Sequence, residues 1–217
     1  MTDWCFDADL LVFLKDLKAN NKRDWFQDNK KRYETVYKKP AAAFTEIVEA
    51  ELENRTGLKH RSKTYRINRD IRFSKDKTPY NSHLHISFTP EGRSEASPSW
   101  FFGLGVERLS LGGGTFGFDK ELLETYRNRV AGKEGQRLND IAEALQQTGI
   151  RFSDPDLKRV PKPFEQDHPR ADWLKYKGLS CWVDEAQPDF LWKSGCPAQV
   201  TDKFIKVRPL FDWLMEF

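Results

Sequence analysis

The sequence predicts an α+β protein with a mostly antiparallel central sheet, packed by N-terminal and C-terminal helices. Two observations predict it. Apolar residues recur at helical spacing in the first third of the chain, alternate in the middle third, and return to helical spacing in the last. The alternating segments are joined by short links, which favours antiparallel pairing between sequence neighbours. Aromatic residues make up 13% of the chain, including 16 Phe and 7 Trp, so a core is affordable and disorder is disfavoured. No internal repeat, low-complexity tract or long linker interrupts the 217 residues. A single domain is therefore expected: helical over 1–57, sheet over 58–118, helical or irregular over 119–217.

The first helix is predicted by Leu10, Leu11, Phe13, Leu14 and Leu17, and Asn20 and Asn21 break it. Lys22 to Lys38 forms a second, with Trp25, Phe26, Asn29, Tyr33, Val36 and Tyr37 near one face. Pro40 opens a third as a first-turn proline and Gly57 closes it. Phe44, Ile47, Val48 and Leu52 are its apolar stripe.

Alternation then runs from Tyr65 to Phe73 and from Ser82 to Thr89, where Leu84, Ile86 and Phe88 share a face. Between them, SKDKTPYN carries turn formers and predicts a hairpin or a longer loop. A second strand pair is expected over Trp100–Glu107 and Leu109–Phe116, after a mobile connection over Gly92 to Ser99. Helices come next over Lys120–Ala131 and Glu134–Gln147, joined at Gly132. A proline-rich irregular stretch covers Asp154 to Asp172, one strand lies near Leu179 to Val183, and a last helix covers Val200 to Met215, kinked or split by Pro209.

Composition excludes several classes. Net charge is only +3, so polynucleotide binding cannot rest on global charge and any basic function must come from local clustering. Three widely spaced cysteines, with no C-x-x-C pair, argue against a disulfide framework or structural zinc and suit a cytoplasmic protein. The N-terminus MTDWCFDADL lacks the basic start and apolar run of a signal peptide, and no run of 18 apolar residues predicts a membrane span.

The segment RINRDIRFSKDKTPY, from Arg66 to Tyr80, is the most informative stretch. On a strand, Ile67, Arg69, Ile71 and Phe73 share the core face, so Arg69 must be paired or rotated out by a bulge. Arg66 and Arg72 flank Asp70 on the other face. Two forked donors there suit bidentate capture of a carboxylate or phosphate, with Asp70 orienting them or acting as a base. Lys77 adds a point charge and Tyr80 a hydroxyl. The competing reading is a solvated face of weak ion pairs. His83 and His85 point to one face two residues apart. They could ligate a metal only with a third ligand that the sequence does not place, so no metal or cofactor is assigned. His83 is the better proton-transfer candidate. Trp25 and Phe26 read as core, with Arg23, Asn29 and Lys30 beside them to bring polar groups toward the charged strand. Lys158, Arg159, Lys162 and His168 form either a rigid surface wrap or the second wall of a basic cleft.

GGGTFG, Gly112 to Gly117, lacks the lysine of a phosphate loop and the context of a dinucleotide fingerprint. Its glycines read better as a bulge or a place of close backbone approach. No G-x-S-x-G elbow, H-E-x-x-H helix or Cys–His pairing is present.

Arg66 to Tyr80 matches R-x-x-R-D-x-R-F-x-x-[DN]-K-x-x-Y at every specified place. The pattern resembles the signature of domain-of-unknown-function family 2461, mainly bacterial proteins of about this length. An early run like N-x-R-x-W-F-x-x-N-K-x-x-Y is carried by Asn21, Arg23, Trp25, Phe26, Asn29, Lys30 and Tyr33. A later run is carried by Leu157, Lys158, Pro161, Lys162, Phe164, His168, Pro169, Leu174, Tyr176 and Lys177, with Pro163 in place of an expected glycine. The resemblance covers nearly the whole chain and assigns no activity. It implies that Arg66, Arg69, Asp70, Arg72, Phe73, Asp76, Lys77, Tyr80 and His83 belong to one site or one structural knot.

The expected function is therefore the binding of a small phosphate- or carboxylate-bearing ligand in a basic cleft. Arg66, Arg69, Arg72, Lys77, Arg23 and Lys162 would be its ligand contacts, and Asp70, Tyr80 and His83 its candidate catalytic groups. A nucleic-acid-binding module is the first alternative. The second is an interaction protein in which the Arg–Asp motif is a folding element.

Overall fold

The structure, a computed structural model, describes residues 3–93, 96–186 and 188–216. The strands of the described residues form a six-stranded antiparallel sheet, in chain order except that the last strand lies inside the fifth, which takes the edge, so the fold is α+β. The described residues divide into two compact units. The first comprises Met1–Glu91, Phe101–Leu111 and Asp184–Asp202; the second comprises Gly92–Trp100, Gly112–Val183 and Lys203–Phe217. The connection expected over Gly92 to Ser99 includes Ser94 and Glu95, which lie outside the described residues.

In the first unit, α1 (Asp9–Ala19) buries Leu10, Phe13, Leu14 and Leu17, the predicted stripe. It ends at Asn20, whose backbone N–H and side-chain amide both donate to the Asp16 carbonyl. Next come α2 (Arg23–Asp28), α3 (Lys30–Arg32), a π-helical stretch over Tyr33–Lys38, and α4 (Lys39–Thr56). Sequence alone starts a new helix at Pro40, whereas the backbone runs through in the α region at Lys38 and Lys39. Proline has no N–H to give to the carbonyl four residues back, and the wider turn before it absorbs that mismatch. The Lys39 N–H donates to Glu34 O, five residues back. Gly57 closes α4 at φ 75°, where glycine meets no Cβ penalty.

Strand β1 (His60–Thr64) pairs antiparallel with β2 (Leu84–Pro90), with Ser62 opposite Phe88 and Thr64 opposite Ile86. The strand expected over Tyr65 to Phe73 does not form. The ladder ends where the Tyr65 N–H donates to His85 O, and beyond that point the chain forms a loop. Strands β3 (Ser99–Leu104) and β4 (Leu109–Thr115) are joined by a tight turn in which the Gly105 N–H donates to Arg108 O. Phe6, Phe44 and Phe102 centre the core of the first unit, with the Phe44 ring 4.9 Å from each of the other two.

In the second unit, α5 (Lys120–Ala131) starts at Asp119, whose carboxylate accepts the Leu122 N–H at 2.9 Å. After it come α6 (Glu134–Gln147), β5 (Arg151–Phe152), α7 (Ala171–Leu174) and β6 (Leu179–Glu185). Strands β5 and β6 pair antiparallel, placing the late strand where it was expected and adding a short partner. Gly112 and Gly114 lie against the β6 backbone, where a Cβ would strike the Cys181 and Leu179 carbonyls. Close backbone approach is thus what that glycine run permits. The expected final helix is split: α8 (Cys196–Lys206) and α9 (Arg208–Met215) meet at Val207, with Pro209 in the first turn of α9. Burial pushes the thiols of Cys181 and Cys196 up to about 12, so neither is a ready nucleophile. Among the described residues, no helix is long and apolar enough to cross a membrane.

Candidate functional site

Asn68 and Tyr80 form an isolated antiparallel bridge that closes the charged segment into a loop. The Arg69 N–H donates to Pro79 O at 2.9 Å, and the Asn81 N–H donates to Ile67 O at 2.7 Å. Arg69 explains why a loop wins over a strand. On the core face its guanidinium would have to be desolvated against apolar neighbours. In the loop it donates through Nη1 to Asp76 Oδ2 at 2.6 Å, to Thr78 O at 3.1 Å and to the Thr78 hydroxyl. Arg69 is therefore paired, as the sequence requires, but inside a loop rather than on a sheet. The Asp76 carboxylate also accepts the Thr78 N–H at 2.9 Å. That hydrogen bond, with the Arg69 guanidinium and the Thr78 hydroxyl, pulls the Asp76 pKa down to about 2.

Without a strand there is no face on which Arg66 and Arg72 flank Asp70. Arg72 instead closes on Asp70 as a fork, Nε to Oδ1 at 3.0 Å and Nη2 to Oδ2 at 2.7 Å. This fork holds the Asp70 carboxyl below its ordinary value. The Lys77 ammonium donates to Ile71 O at 3.0 Å. Arg66 is exposed. The convergent grip expected of Arg66, Arg69 and Arg72 is replaced by a cross-braced loop whose tip, Phe73, is 95% exposed.

The base of the loop is gripped by the N-terminal helices. The Asn21 amide donates to Tyr80 O at 2.8 Å and accepts the Tyr80 N–H at 3.0 Å, so one side chain acts as a rung of sheet. The Tyr80 ring is 5% exposed and stacks on Phe26 at 4.1 Å. Phe26 in turn packs against Tyr33, and the Tyr37 hydroxyl donates to His83 O at 3.1 Å. Tyr80, expected to offer a hydroxyl to a ligand, sits as an anchor. Arg23 is exposed at the start of α2, and the Asn29 amide donates locally to Trp25 O. Asn21 makes the contact with the charged segment that was expected of Arg23, Asn29 and Lys30. The early motif run carried the signal, since Asn21 opens it.

His83 and His85 stack with ring centres 3.7 Å apart. His85 lies over Gly103, where an added Cβ would approach its Cδ2 to 3.2 Å. Desolvation, and then His83, push His85 down to about 4. Desolvation, and then the Arg69 guanidinium, lower His83. Beside His83 is a hollow of about 230 Å³, lined by Lys18, Ser82, His83 and the turn from Gly105 to Arg108. Lys18 pairs with Glu107 at 2.7 Å across it, which lowers the Glu107 carboxyl. Lys18, Ser82 and Arg108 were not legible as neighbours, because they reach the hollow from the end of α1, the bend before β2 and the β3–β4 turn.

Lys162 is exposed and, with Lys158, Arg159 and His168, belongs to the second unit. His168 Nδ1 accepts the Arg170 N–H at 3.0 Å. Arg170 donates to the Val130, Ala131 and Gly132 carbonyls at the end of α5, a helix-capping role. Among the described residues, no group of three or more His, Cys, Asp or Glu could hold a metal ion.

A family model described as conserved hypothetical protein (DUF2461) matches residues 9–213. No curated protein matches the chain.

Proposed function

We propose, from the premise that the chain belongs to the DUF2461 family of conserved hypothetical proteins, that its first unit binds a small phosphate- or carboxylate-bearing anion in the hollow beside His83. One observation carries this reading. A half-buried histidine, lowered by burial and by the Arg69 guanidinium, lines a hollow that Lys18, Ser82 and Arg108 also line. Burial and a neighbouring cation both oppose a charge on His83, and an incoming anion reverses that balance. Arg108 would neutralise the anion, Lys18 would add charge only by turning from its partner Glu107, the Ser82 hydroxyl would donate to it, and His83 would bind it better once protonated. Asp70, Arg72 and Lys77 brace the motif loop on this reading. No reaction is assigned.

Binding then takes up a proton, because the His83 pKa rises in the complex. Affinity for inorganic phosphate should increase as pH falls from about 6.5 toward the lowered value of the free protein. Calorimetry with inorganic phosphate should show one-to-one binding, weakened about tenfold by Arg108→Ala, with the His83 ring resonances shifting on saturation. If phosphate and short carboxylates leave those resonances unmoved at saturating concentration, the reading is wrong.

A specific observation also favours a structural role for the motif. Arg69 spends its donors inside the loop, which supports reading the Arg–Asp motif as a folding element whatever the hollow binds.

A further inference from the structure

The second unit carries a groove of its own, with a volume of about 370 Å³. One wall is α6, which presents Asn139, Glu143 and Gln146 at spacings of four and three residues, on one helix face, beside the buried Ala142. That wall is about 10 Å long. The other wall is the turn from His168 to Trp173. It includes His168 and Pro169 of the later motif run, which do not line the hollow beside His83.

The turn is held by its own contacts. The Arg170 guanidinium donates through Nε and Nη2 to the Val130, Ala131 and Gly132 carbonyls. Gly135 makes room for it, since a Cβ there would strike Arg170 and the Val130 carbonyl. The Ala171 N–H donates to His168 O at 2.8 Å, and Lys175 holds Asp172 at 2.7 Å. The groove is therefore shaped before any ligand arrives, which lowers the entropic cost of binding.

Two hydrogen bonds set what the groove offers. The Trp173 indole Nε1–H donates to Asn139 Oδ1 at 2.6 Å, so the Asn139 Nδ2 hydrogens remain as donors. The Arg170 N–H donates to His168 Nδ1 at 3.0 Å, so the neutral imidazole carries its proton on Nε2 and donates from there. Glu143 supplies acceptor oxygens, and Gln146 supplies one acceptor and two donors. Among the described residues, Asn139 Nδ2, His168 Nε2 and the side chains of Glu143 and Gln146 have no hydrogen-bond or ion-pair partner.

These groups select the ligand. An anion would meet the Glu143 carboxylate, and a cation would meet the donors of Asn139 and His168. A hydroxyl both donates and accepts, so a row of neutral hydroxyls satisfies all four side chains. We propose that this groove of the second unit binds a neutral saccharide, with Asn139, His168, Glu143 and Gln146 reading its hydroxyls. The site is separate from the anion hollow and stands or falls without it.

The test is calorimetry on the full chain with D-glucose, D-galactose, N-acetyl-D-glucosamine and maltose. Glucose 6-phosphate, glucuronate and L-alanine are the charged comparators. At least one neutral sugar should bind one-to-one in the millimolar range, and a deoxy analogue lacking a read hydroxyl should bind about tenfold more weakly. Glu143 is exposed, so Glu143→Ala should weaken binding about tenfold at an unchanged melting temperature. Asn139→Asp keeps an oxygen for the Trp173 indole and replaces the Nδ2 donor with an acceptor, and it should weaken binding by at least as much. Tighter binding of the phosphorylated or carboxylated sugars would show an anion site and overturn the proposal. Preference for L-alanine would show that Glu143 reads an ammonium, with the same consequence. No saturable binding of any neutral sugar, or binding that both substitutions leave unchanged, also refutes it.

Discussion

Arg69 and Arg72 carry the same charge three residues apart and have opposite structural weight. Arg69 is about a quarter exposed and donates to Asp76 and to both oxygens of Thr78. Removing it leaves the Thr78 carbonyl without that donor, while the exposed Asp76 carboxylate keeps the Thr78 N–H and hydroxyl. Arg69→Ala is expected to cost about 2 kcal/mol, read as a shifted urea midpoint at constant slope. Arg72 pairs with Asp70 in water, at 76% and 44% exposure, and Arg72→Ala should leave the midpoint within error. Asp76 contributes in the opposite sense to a histidine. Its folded pKa, about 2, lies below the unfolded value near 3.8, so its stabilisation is present above 3.8 and disappears as pH falls toward 2. Asp76→Asn should flatten that acid limb.

At the scale of elements, β1, β2 and the bend before β2 carry the histidine pH response of the first unit. His83 and His85 both have lowered folded pKa values, and His60 on the paired strand β1 is lowered too, chiefly by burial. Below about 6.5 the unfolded chain takes up protons that the folded chain refuses. Stability should therefore fall as pH drops from about 6.5 to about 4, the value His85 reaches, as a urea titration at successive pH values would show. Gly103 makes that depression possible by leaving room for the His85 ring. Gly103→Val should push the ring out of the stack and return its pKa toward 6.5, measured from the ring proton shifts.

The same elements show how much the sequence could encode locally. Leu10, Phe13, Leu14 and Leu17 define α1 because a helix face repeats within a few residues. Leu84, Ile86 and Phe88 define β2 for the same reason at period two. HRSKT, which is β1, carries no such alternation; it is a strand because β2 pairs with it and α4 covers it. Tyr65 to Phe73 carries the alternation without the strand, because one guanidinium found its acceptors nearer than any sheet could offer. The motif residues of the candidate region were legible as a group, whereas the contact expected of Arg23, Asn29 and Lys30 is made by Asn21, which grips Tyr80. Lys18 and Arg108 were not legible, since only tertiary closure brings them beside His83.

At the scale of the whole sheet, its two edges are protected by different means. At one edge β5 is two residues long and offers little to pair with. At the other, β1 is five residues long, and its outward Ser62 N–H would be an open donor. Glu49 of α4 reaches over and accepts that N–H at 2.5 Å, so a helix side chain substitutes for the missing strand. Arg61 and Lys63 add charge that disfavours docking of a second copy there. Glu49→Ala removes the acceptor without touching the apolar face of α4. It should cost about 1 kcal/mol and make sedimentation concentration-dependent as the freed edge finds partners. Glu49→Gln keeps an acceptor oxygen and should remain as monodisperse as the wild type. If both variants sediment like the wild type at every concentration, charge alone guards the edge, and the Glu49 contact is only a hydrogen bond.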